Sequence, residues 1–410
     1  MKHLIRILFV LLTSLVVALP MSAKEQYVDP VFGDTINRSA EDFITVSLLV
    51  ADPGMASWSV FGHACLRMQC PTFGVDYCFS YESQSVKHRI GQFLSGKLLM
   101  GLFAIPVEEY CAIYREEGRG VYEYYLDLPP QVEQELWRVL DEHVAEGIYI
   151  PYDYFRRGCT ITCIDFLNEA LGKQKIQYGQ LPNDMTTRDY AYQYMKDFPW
   201  VWFAWNFICG SDGDKIQQRE RQLVFPFDLA KAWQNATLNG KPLVSKEPNV
   251  LVRGEAQMPQ GWFTPIMMAF IILILAIGNL FWMKPYGDWL FLAVQTAVGL
   301  LMTYLLCISD LCCTSWNWLI IPFNILPILV WKWRKYWALP YACALLLWNV
   351  AMAVGLLWGH VLVDWSHIVL VIAWSLVLLK QSPVYYALFT HNRRTIDALF
   401  THYSDRISIR

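Results

Sequence analysis

Five long apolar stretches after residue 262 constrain the fold of this 410-residue chain more than any other feature. Each is near the ~20 residues that an α-helix needs to cross the hydrocarbon core of a bilayer. They cover residues 264–283, 289–308, 316–331, 339–358 and 361–379. The pattern predicts an all-α transmembrane bundle of about five helices at residues 262–380, followed by a cytoplasmic tail at 381–410.

The N-terminus predicts that the chain is exported. Lys2 and Arg6 precede an apolar run, and small residues then end at Ala23, which are the three parts of a secretory signal. Met21 is unusual at the third position before a cleavage site, so residues 1–23 are either a cleaved signal peptide or an uncleaved signal anchor. In both cases residues 24–261 form an exported globular domain.

Basic residues indicate the orientation of the predicted bundle. Lys284 follows the first stretch, three basic residues lie within 332–335, and four arginines follow the last stretch. Lys and Arg are enriched in cytoplasmic loops, so these segments are predicted to be cytoplasmic and the N-terminal domain lies on the opposite side. The formal net charge is -3 and no basic patch is interleaved with aromatics, which gives nucleic-acid binding no support.

The exported domain alternates between strand and helix patterns, which indicates an α+β fold. Strands are predicted at 43–50, 61–68, 75–81 and 121–128, and helical patterns occupy 86–99, 107–117 and 130–146. A dense aromatic run at 198–205 is interpreted either as a membrane-interface segment or as buried core.

Cys159 is the candidate nucleophile of this domain. It begins a helical pattern that stops at Gly172, and a helix N-terminus lowers the pKa of a thiol. The domain has seven cysteines, and an odd number in an oxidising compartment leaves one free. The alternative is a disulfide from Cys159 to one of the other six, although Cys163, one helical turn away, would be strained as its partner.

A nucleophilic cysteine needs a base, and His63 is the candidate. It follows a Phe-Gly pair on an apolar strand, where a buried structural histidine is the alternative. His88 and His143 both fit the pattern of solvated surface residues. Asp76, on the next predicted strand, is a candidate to orient the imidazole, and a solvated turn residue is its alternative reading.

Two motifs resemble those of the Lnb family of bacterial lipoprotein N-acyltransferases. Residues 61–67 (FGHACLR) resemble its FGHAxLR motif, and residues 152–155 (YDYF), followed by Cys159 and Thr160, resemble its second motif. Gly158 stands where the family usually has Asn, and Cys163 replaces a residue that is often basic. The resemblance implies a permuted papain-like (NlpC-type) periplasmic domain with Cys159 and His63 catalytic, in a multi-pass protein of the bacterial inner membrane.

The function implied by this resemblance is acyl transfer through a Cys159 thioester. The donor would be a phospholipid, the acceptor the N-terminal amine of a diacylglyceryl-cysteine lipoprotein, and the membrane the shared partner. No cofactor is expected, and no metal site either, because His360, Asp364 and His367 lack a fourth ligand. The alternatives are a membrane-anchored cysteine peptidase or amidase that acts on cell-wall peptide, and a non-enzymatic envelope scaffold.

Overall fold

The computed structural model describes residues 44–387 except 57–58, 84–87, 154–155, 182–184, 217–218, 256–260, 282–284, 312–313, 315 and 361–362. The predicted signal segment, residues 388–410 of the predicted tail and two residues of the YDYF motif lie outside the described residues. The chain divides into two compact units. The first comprises Met1–Tyr190, Lys215–Pro259 and Cys307–Cys312, and the second comprises Ala191–Asp214, Gln260–Leu306 and Cys313–Arg410.

The described strands lie in the first unit and pair antiparallel throughout. They are β1 Thr45–Ala51, β2 His63–Cys70, β3 Val75–Ser83, β4 Leu99–Pro106, β5 Val121–Tyr125, β6 Tyr149–Pro151, β7 Ile176–Gln177, β8 Thr237–Leu238, β9 Lys241–Pro242 and β10 Asn249–Val252. Seven form one sheet in the order β10-β5-β1-β2-β3-β4-β6, and β7-β8-β9 form a small second sheet. A mixed α/β domain with an antiparallel sheet therefore precedes the helical region, as the residue patterns predicted.

The α-helices of the described residues occur in both units. They are α1 Ile90–Leu94, α2 Val107–Glu116, α3 Pro130–Glu146, α4 Cys159–Leu171, α5 Thr187–Met195, α6 Pro199–Ile208, α7 Pro226–Gln234, α8 Pro265–Phe281, α9 Pro285–Cys307, α10 Leu326–Val330, α11 Arg334–Leu357 and α12 Trp365–Lys380. In the described part of the helical pattern at 86–99, the helix is the short α1, because Gly96 has a φ of +73° that no α-helix accommodates, and β4 begins at Leu99.

Both faces of the large sheet are buried, so its central strands are apolar on both sides. On one face, residues of α2 such as Tyr110 and Cys111 pack with Leu49, Cys65 and Cys78 in one buried cluster. On the other face, the aromatic rings of β3 contact the helices: Phe79 meets Trp137 of α3, and Tyr81 meets Phe166 of α4. This arrangement fixes the start of α4 against the sheet.

Arg67 is a buried cation on the face that α2 covers. Its Nε and Nη2 atoms each donate to an Asp76 carboxylate oxygen at 2.7 Å, and its Nη1 donates to Glu123 Oε1 at 2.7 Å. Arg67 is 8% exposed and Glu123 is 0% exposed. A planar guanidinium can satisfy two carboxylates at once, and here it joins β2, β3 and β5.

The helical region differs from the five predicted helices at the third apolar stretch. The helices α9 and α11 lie in two segments, Tyr286–Cys307 and Leu326–Leu357, that are long and apolar enough to cross a membrane, and α8 and α12 are shorter apolar helices. Residues 316–331 instead form a 3-10 turn at Trp318–Ile320, an irregular segment and the five-residue α10. Asn317 and Asn324 explain the break, because their side-chain oxygens accept backbone N–H groups of Leu319 and Leu326.

The aromatic run at 198–205 packs with the apolar helices in the second unit. The ring of Phe203 in α6 stacks on His367 of α12 at 4.4 Å between centroids, and the Trp200 indole donates to the Phe263 carbonyl. Asn317 Nδ2 donates to the Phe207 carbonyl at 2.8 Å. The segment therefore belongs structurally to the helical unit, although it precedes that unit in sequence.

A buried polar cluster joins three helices of the second unit. Lys380 Nζ of α12 lies 2.9 Å from Asp288 Oδ1 of α9, and Asn279 Nδ2 of α8 donates to the same oxygen at 2.7 Å. Polar groups within an apolar bundle are stable only when they satisfy one another. These three side chains therefore fix the helices against sliding.

Replacing Arg67 by Met should destabilise the sheet domain by roughly 3–5 kcal/mol, because the buried carboxylate of Glu123 would lose its charged partner. The measurement is urea-dependent or protease-detected unfolding of the full chain in detergent. The control is Arg138→Met, which removes the exposed helix pairs of Arg138 with Glu135 and Glu142 and should leave the midpoint almost unchanged. Equal midpoints for the two variants would contradict the role assigned to Arg67.

Candidate functional site

His63 is the first residue of β2, and Gly62 places it there. Gly62 has a φ of +78°, and a Cβ at this position would lie 2.4 Å from the Ala51 carbonyl oxygen. A residue with a side chain is therefore excluded. Phe61 is buried and packs on Phe225 at 5.1 Å between ring centroids, which anchors the segment that precedes His63. Phe61 and Gly62 thus fix the backbone before His63 and hold its imidazole at the end of a central strand.

Cys159 is the first residue of α4, as the sequence pattern predicted. Gly158 is the N-cap residue in an extended conformation and supplies no side-chain cap, so N–H groups of the first turn stay unoccupied by side chains. The helix start is fixed by Thr160, whose hydroxyl donates to the Val224 carbonyl at 2.8 Å. As a residue, Cys159 is only partly buried.

The structure brings the two predicted residues together. The side chains of His63 and Cys159 are close enough for each to shift the pKa of the other, by charge and by hydrogen bonding. Burial raises the pKa of the Cys159 thiol, but the charge and hydrogen bond of His63 and the backbone of Ala64 outweigh it and lower that pKa below its ordinary value. Burial lowers the pKa of His63, yet Tyr114, Cys159 and Glu82 together raise it well above its ordinary value. These opposite shifts favour a thiolate–imidazolium pair at neutral pH.

Ser80 and Glu82 of β3 hold the far side of the imidazole. His63 Nε2 lies 2.7 Å from Ser80 Oγ and 3.4 Å from Glu82 Oε1, and Ser80 Oγ donates to Glu82 Oε1 at 2.7 Å. A hydroxyl has a single hydrogen, so Ser80 gives it to Glu82 and accepts the Nε2–H of His63. This assignment leaves Nδ1 available to the thiol.

Glu82 is the charged end of this chain of hydrogen bonds. Burial raises its pKa, but His63, Ser80 and the guanidinium of Arg119 outweigh it, and the pKa of Glu82 lies below its ordinary value. The carboxylate is therefore ionised at neutral pH and stabilises the protonated imidazole, as the third member of a catalytic triad does. Sequence reasoning missed both Ser80 and Glu82.

Asp76, the sequence candidate for this role, does not contact His63. The hairpin register pairs Asp76 with Gln69, six residues along β2 from His63 and so roughly 20 Å away. The Asp76 carboxylate binds Arg67 instead. Continuing the same register places Glu82 opposite His63. Counting residues outward from the turn along β2 and β3 would have identified Glu82 from the sequence.

The other candidate residues lie outside this arrangement. His88 is exposed, whereas His143 is less exposed than a solvated residue and packs edge-on against Phe166 at 5.0 Å between ring centroids. All seven cysteines of the exported domain are free thiols, so Cys159 has no disulfide. Burial raises the pKa of Cys163 well above its ordinary value, which makes it a poor nucleophile.

The residues 360, 364 and 367 do not form a metal site. Asp364 caps α12 by accepting the Ser366 N–H at 2.8 Å, and His367 completes a capping box with it. Within the described ranges, no group of three or more His, Cys, Asp and Glu side chains is arranged to hold a metal ion.

Fold and site together describe a membrane-associated protein whose antiparallel-sheet domain carries a thiol–imidazole pair. Residues 36–193 match the family described as the Lnb N-terminal periplasmic domain. This match covers the segment that carries both motifs, so it agrees with the resemblance noted there. Together with the two candidate membrane spans, it indicates a membrane protein with a periplasmic domain. Comparisons with curated proteins and with solved structures each found no match.

Cys159 should react with iodoacetamide at pH 7 far faster than an ordinary thiol, because its lowered pKa keeps the thiolate populated. The rate should fall only when the pH drops through that lowered pKa. Replacing His63 by Asn removes the main stabilising charge and should slow alkylation by roughly tenfold for each unit by which the thiol pKa rises. Peptide mass spectrometry of the full chain measures the rate, with buried Cys163 as the internal control. Equal rates at both cysteines would contradict the assignment.

Replacing Glu82 by Gln should lower the pKa of His63, because the carboxylate that favours the imidazolium is gone. The alkaline limb of the activity–pH profile, where the imidazolium loses its proton, should shift to lower pH. Activity at neutral pH should fall by about tenfold or more as the imidazole loses its orientation. Asp76→Asn is the matched control and should leave the alkaline limb in place. A shift caused by Asp76→Asn and not by Glu82→Gln would reverse the two roles.

Proposed function

We propose that this protein is a lipoprotein N-acyltransferase that carries the acyl chain on Cys159. The feature that supports this most directly is the juxtaposition of Cys159 at a helix start with His63 at a strand end, inside a segment that matches the Lnb periplasmic domain family. A nucleophile at a helix start beside a strand-borne base also favours a permuted papain-like arrangement for this domain.

In the first half-reaction, the Cys159 thiolate attacks the carbonyl carbon of a phospholipid acyl ester. Backbone N–H groups at the start of α4, which has no side-chain cap, stabilise the negative charge of the tetrahedral intermediate. The ester C–O bond then breaks, and the proton of the His63 imidazolium passes to the departing glycerol oxygen. The products are a Cys159 thioester and a lysophospholipid, and His63 is left neutral.

In the second half-reaction, the N-terminal amine of a diacylglyceryl-cysteine lipoprotein attacks the thioester carbonyl. Neutral His63 accepts a proton from the attacking amine, the C–S bond breaks, and an amide forms. The thiolate and the imidazolium are regenerated, so the cycle needs no cofactor. Ser80 and Glu82 act as positioning residues, because they hold the ring and stabilise its charged form in both halves.

The chain's association with a membrane favours this reaction over the alternative. Both proposed substrates are anchored in a bilayer, and the chain has two apolar segments long enough to cross one, with two shorter apolar helices beside them. The same thiol and imidazole would also serve a cysteine peptidase or amidase that acts on cell-wall peptide. A wall hydrolase needs no more than a single anchor, so this activity is the second candidate.

The test is mass spectrometry of the N-terminal peptide of a lipoprotein, in cells that express the full chain or its variants and lack any other N-acyltransferase. The unaltered protein should add one acyl chain to the N-terminal amine. Cys159→Ala should abolish this addition and trap no thioester, whereas Cys163→Ala should retain both. Cys163 is the matched control because it is the same residue type one turn along the same helix.

An unchanged acyl count with the unaltered protein would overturn the proposal. Release of peptide from isolated cell wall, dependent on Cys159, would favour the hydrolase instead. A covalent intermediate heavier than the protein by one acyl chain, sensitive to hydroxylamine and absent from Cys159→Ala, would identify the thioester directly.

A further inference from the structure

The short helix α1 presents apolar and basic side chains together on the sheet domain. None of its five residues is buried, and Ile90 is 64% exposed. Arg89 just before it and Lys97 just after it are also exposed. No carboxylate among the described residues pairs with either cation, and Arg89 Nη1 meets only Gln92 Oε1, at 3.4 Å. An exposed isoleucine alone means little, but an apolar residue between two unpaired cations matches a membrane headgroup layer.

The position of α1 in the chain supports this match. The Ser309 hydroxyl donates to the Leu94 carbonyl, and the Asp310 N–H donates to the Ser95 carbonyl at 3.0 Å. Gly96 permits this approach, because it has a φ of +73° and a Cβ there would lie 2.3 Å from the carbonyl carbon of Asp310. Ser309 and Asp310 therefore pack closely against the end of α1 and against the turn at Ser95 and Gly96 that follows α1.

Ser309 lies two residues beyond Cys307, where one of the two candidate membrane spans ends. Two residues extend the chain by about 7 Å at most. The interfacial layer on each side of the hydrocarbon core is about 5–8 Å deep. Because the end of a membrane-spanning helix lies at this layer, the C-terminus of α1 is held within or next to it.

The segment that ends in Cys159 begins at the same edge of the sheet, where β4 pairs with β6. The Tyr152 N–H donates to the Leu98 carbonyl at 2.7 Å, directly after the turn that follows α1. The chain runs from Tyr152 to Cys159 through Arg156 and Arg157, which are both exposed. A surface that held α1 in the headgroup layer would therefore hold Tyr152, seven residues before Cys159, near that layer.

We propose that α1, with Arg89 and Lys97, is a membrane-docking surface that binds the phosphates of anionic phospholipids and inserts Ile90 at the boundary of the acyl chains. Polybasic residues near an anionic leaflet gain from its negative potential, and the apolar side chain gains from leaving water. This docking does not depend on the proposed acyl transfer. A Cys159→Ala protein should dock as well as the active one.

The experiment uses the full chain reconstituted in vesicles of phosphatidylethanolamine and alkyne-tagged phosphatidylglycerol. A photo-crosslinking benzoylphenylalanine replaces Ile90, and a control variant carries it at Val250. Val250 is 48% exposed and lies on β10, at the opposite edge of the seven-stranded sheet from β4 and β6. After irradiation, lipid attached at position 90 should exceed lipid attached at position 250 severalfold. Equal labelling at the two positions, or crosslinking of position 90 to a second copy of the chain instead of lipid, would overturn the proposal.

A second variant tests the charge component in the same vesicles. Arg89→Gln combined with Lys97→Gln should reduce attachment of the tagged phosphatidylglycerol at position 90 severalfold, and raising the salt concentration should do the same to the unaltered surface. Undiminished labelling would refute recognition of anionic headgroups. Loss of lipoprotein acylation with intact lipid labelling would separate a failure of the proposed function from a failure of the docking surface.

Discussion

The register of the β2–β3 hairpin determines what the imidazole of His63 can contact. Residues directly opposite each other in antiparallel strands share a face, so one register places Glu82 beside His63 and Asp76 beside Gln69. Arg67 stabilises this register, because its guanidinium binds a carboxylate on β3 and another on β5. A slip by one residue would turn Ser80 and Glu82 to the opposite face and leave the imidazole without its acceptor.

A second constraint comes from the start of α4. The thiolate needs free N–H groups, and the Gly158 N-cap leaves them unoccupied. Buried Thr160 ties the same turn to the carbonyl of Val224, so the helix start does not fray although it lacks a side-chain cap. Sheet and helix thus position two groups from distant parts of the sequence, and neither group would be activated without the other.

Cys159 and His63 could be predicted as a nucleophile and its base because each lies in a local sequence pattern. His63 follows a glycine at the start of a strand, and Cys159 begins a helix. Predicting Ser80 and Glu82 would have required the register between β2 and β3. That register depends on the length of the turn at 71–74 and cannot be read from either strand alone. The prediction of one spanning helix at the third apolar stretch, residues 316–331, is wrong for a related reason. The stretch is apolar enough for such a helix, but the side chains of Asn317 and Asn324 accept nearby backbone N–H groups and interrupt the helix.

The free thiols of the exported domain have a consequence for how the protein matures. Cys65, Cys78 and Cys111 lie in one buried cluster, and burial raises the pKa of the Cys78 and Cys111 thiols. Thiol–disulfide exchange proceeds through the thiolate, so the folded domain resists oxidation at these positions. The unfolded chain has no such protection. In an oxidising compartment, folding of this domain would therefore compete with oxidation of its thiols, and burial of the cluster would end that competition.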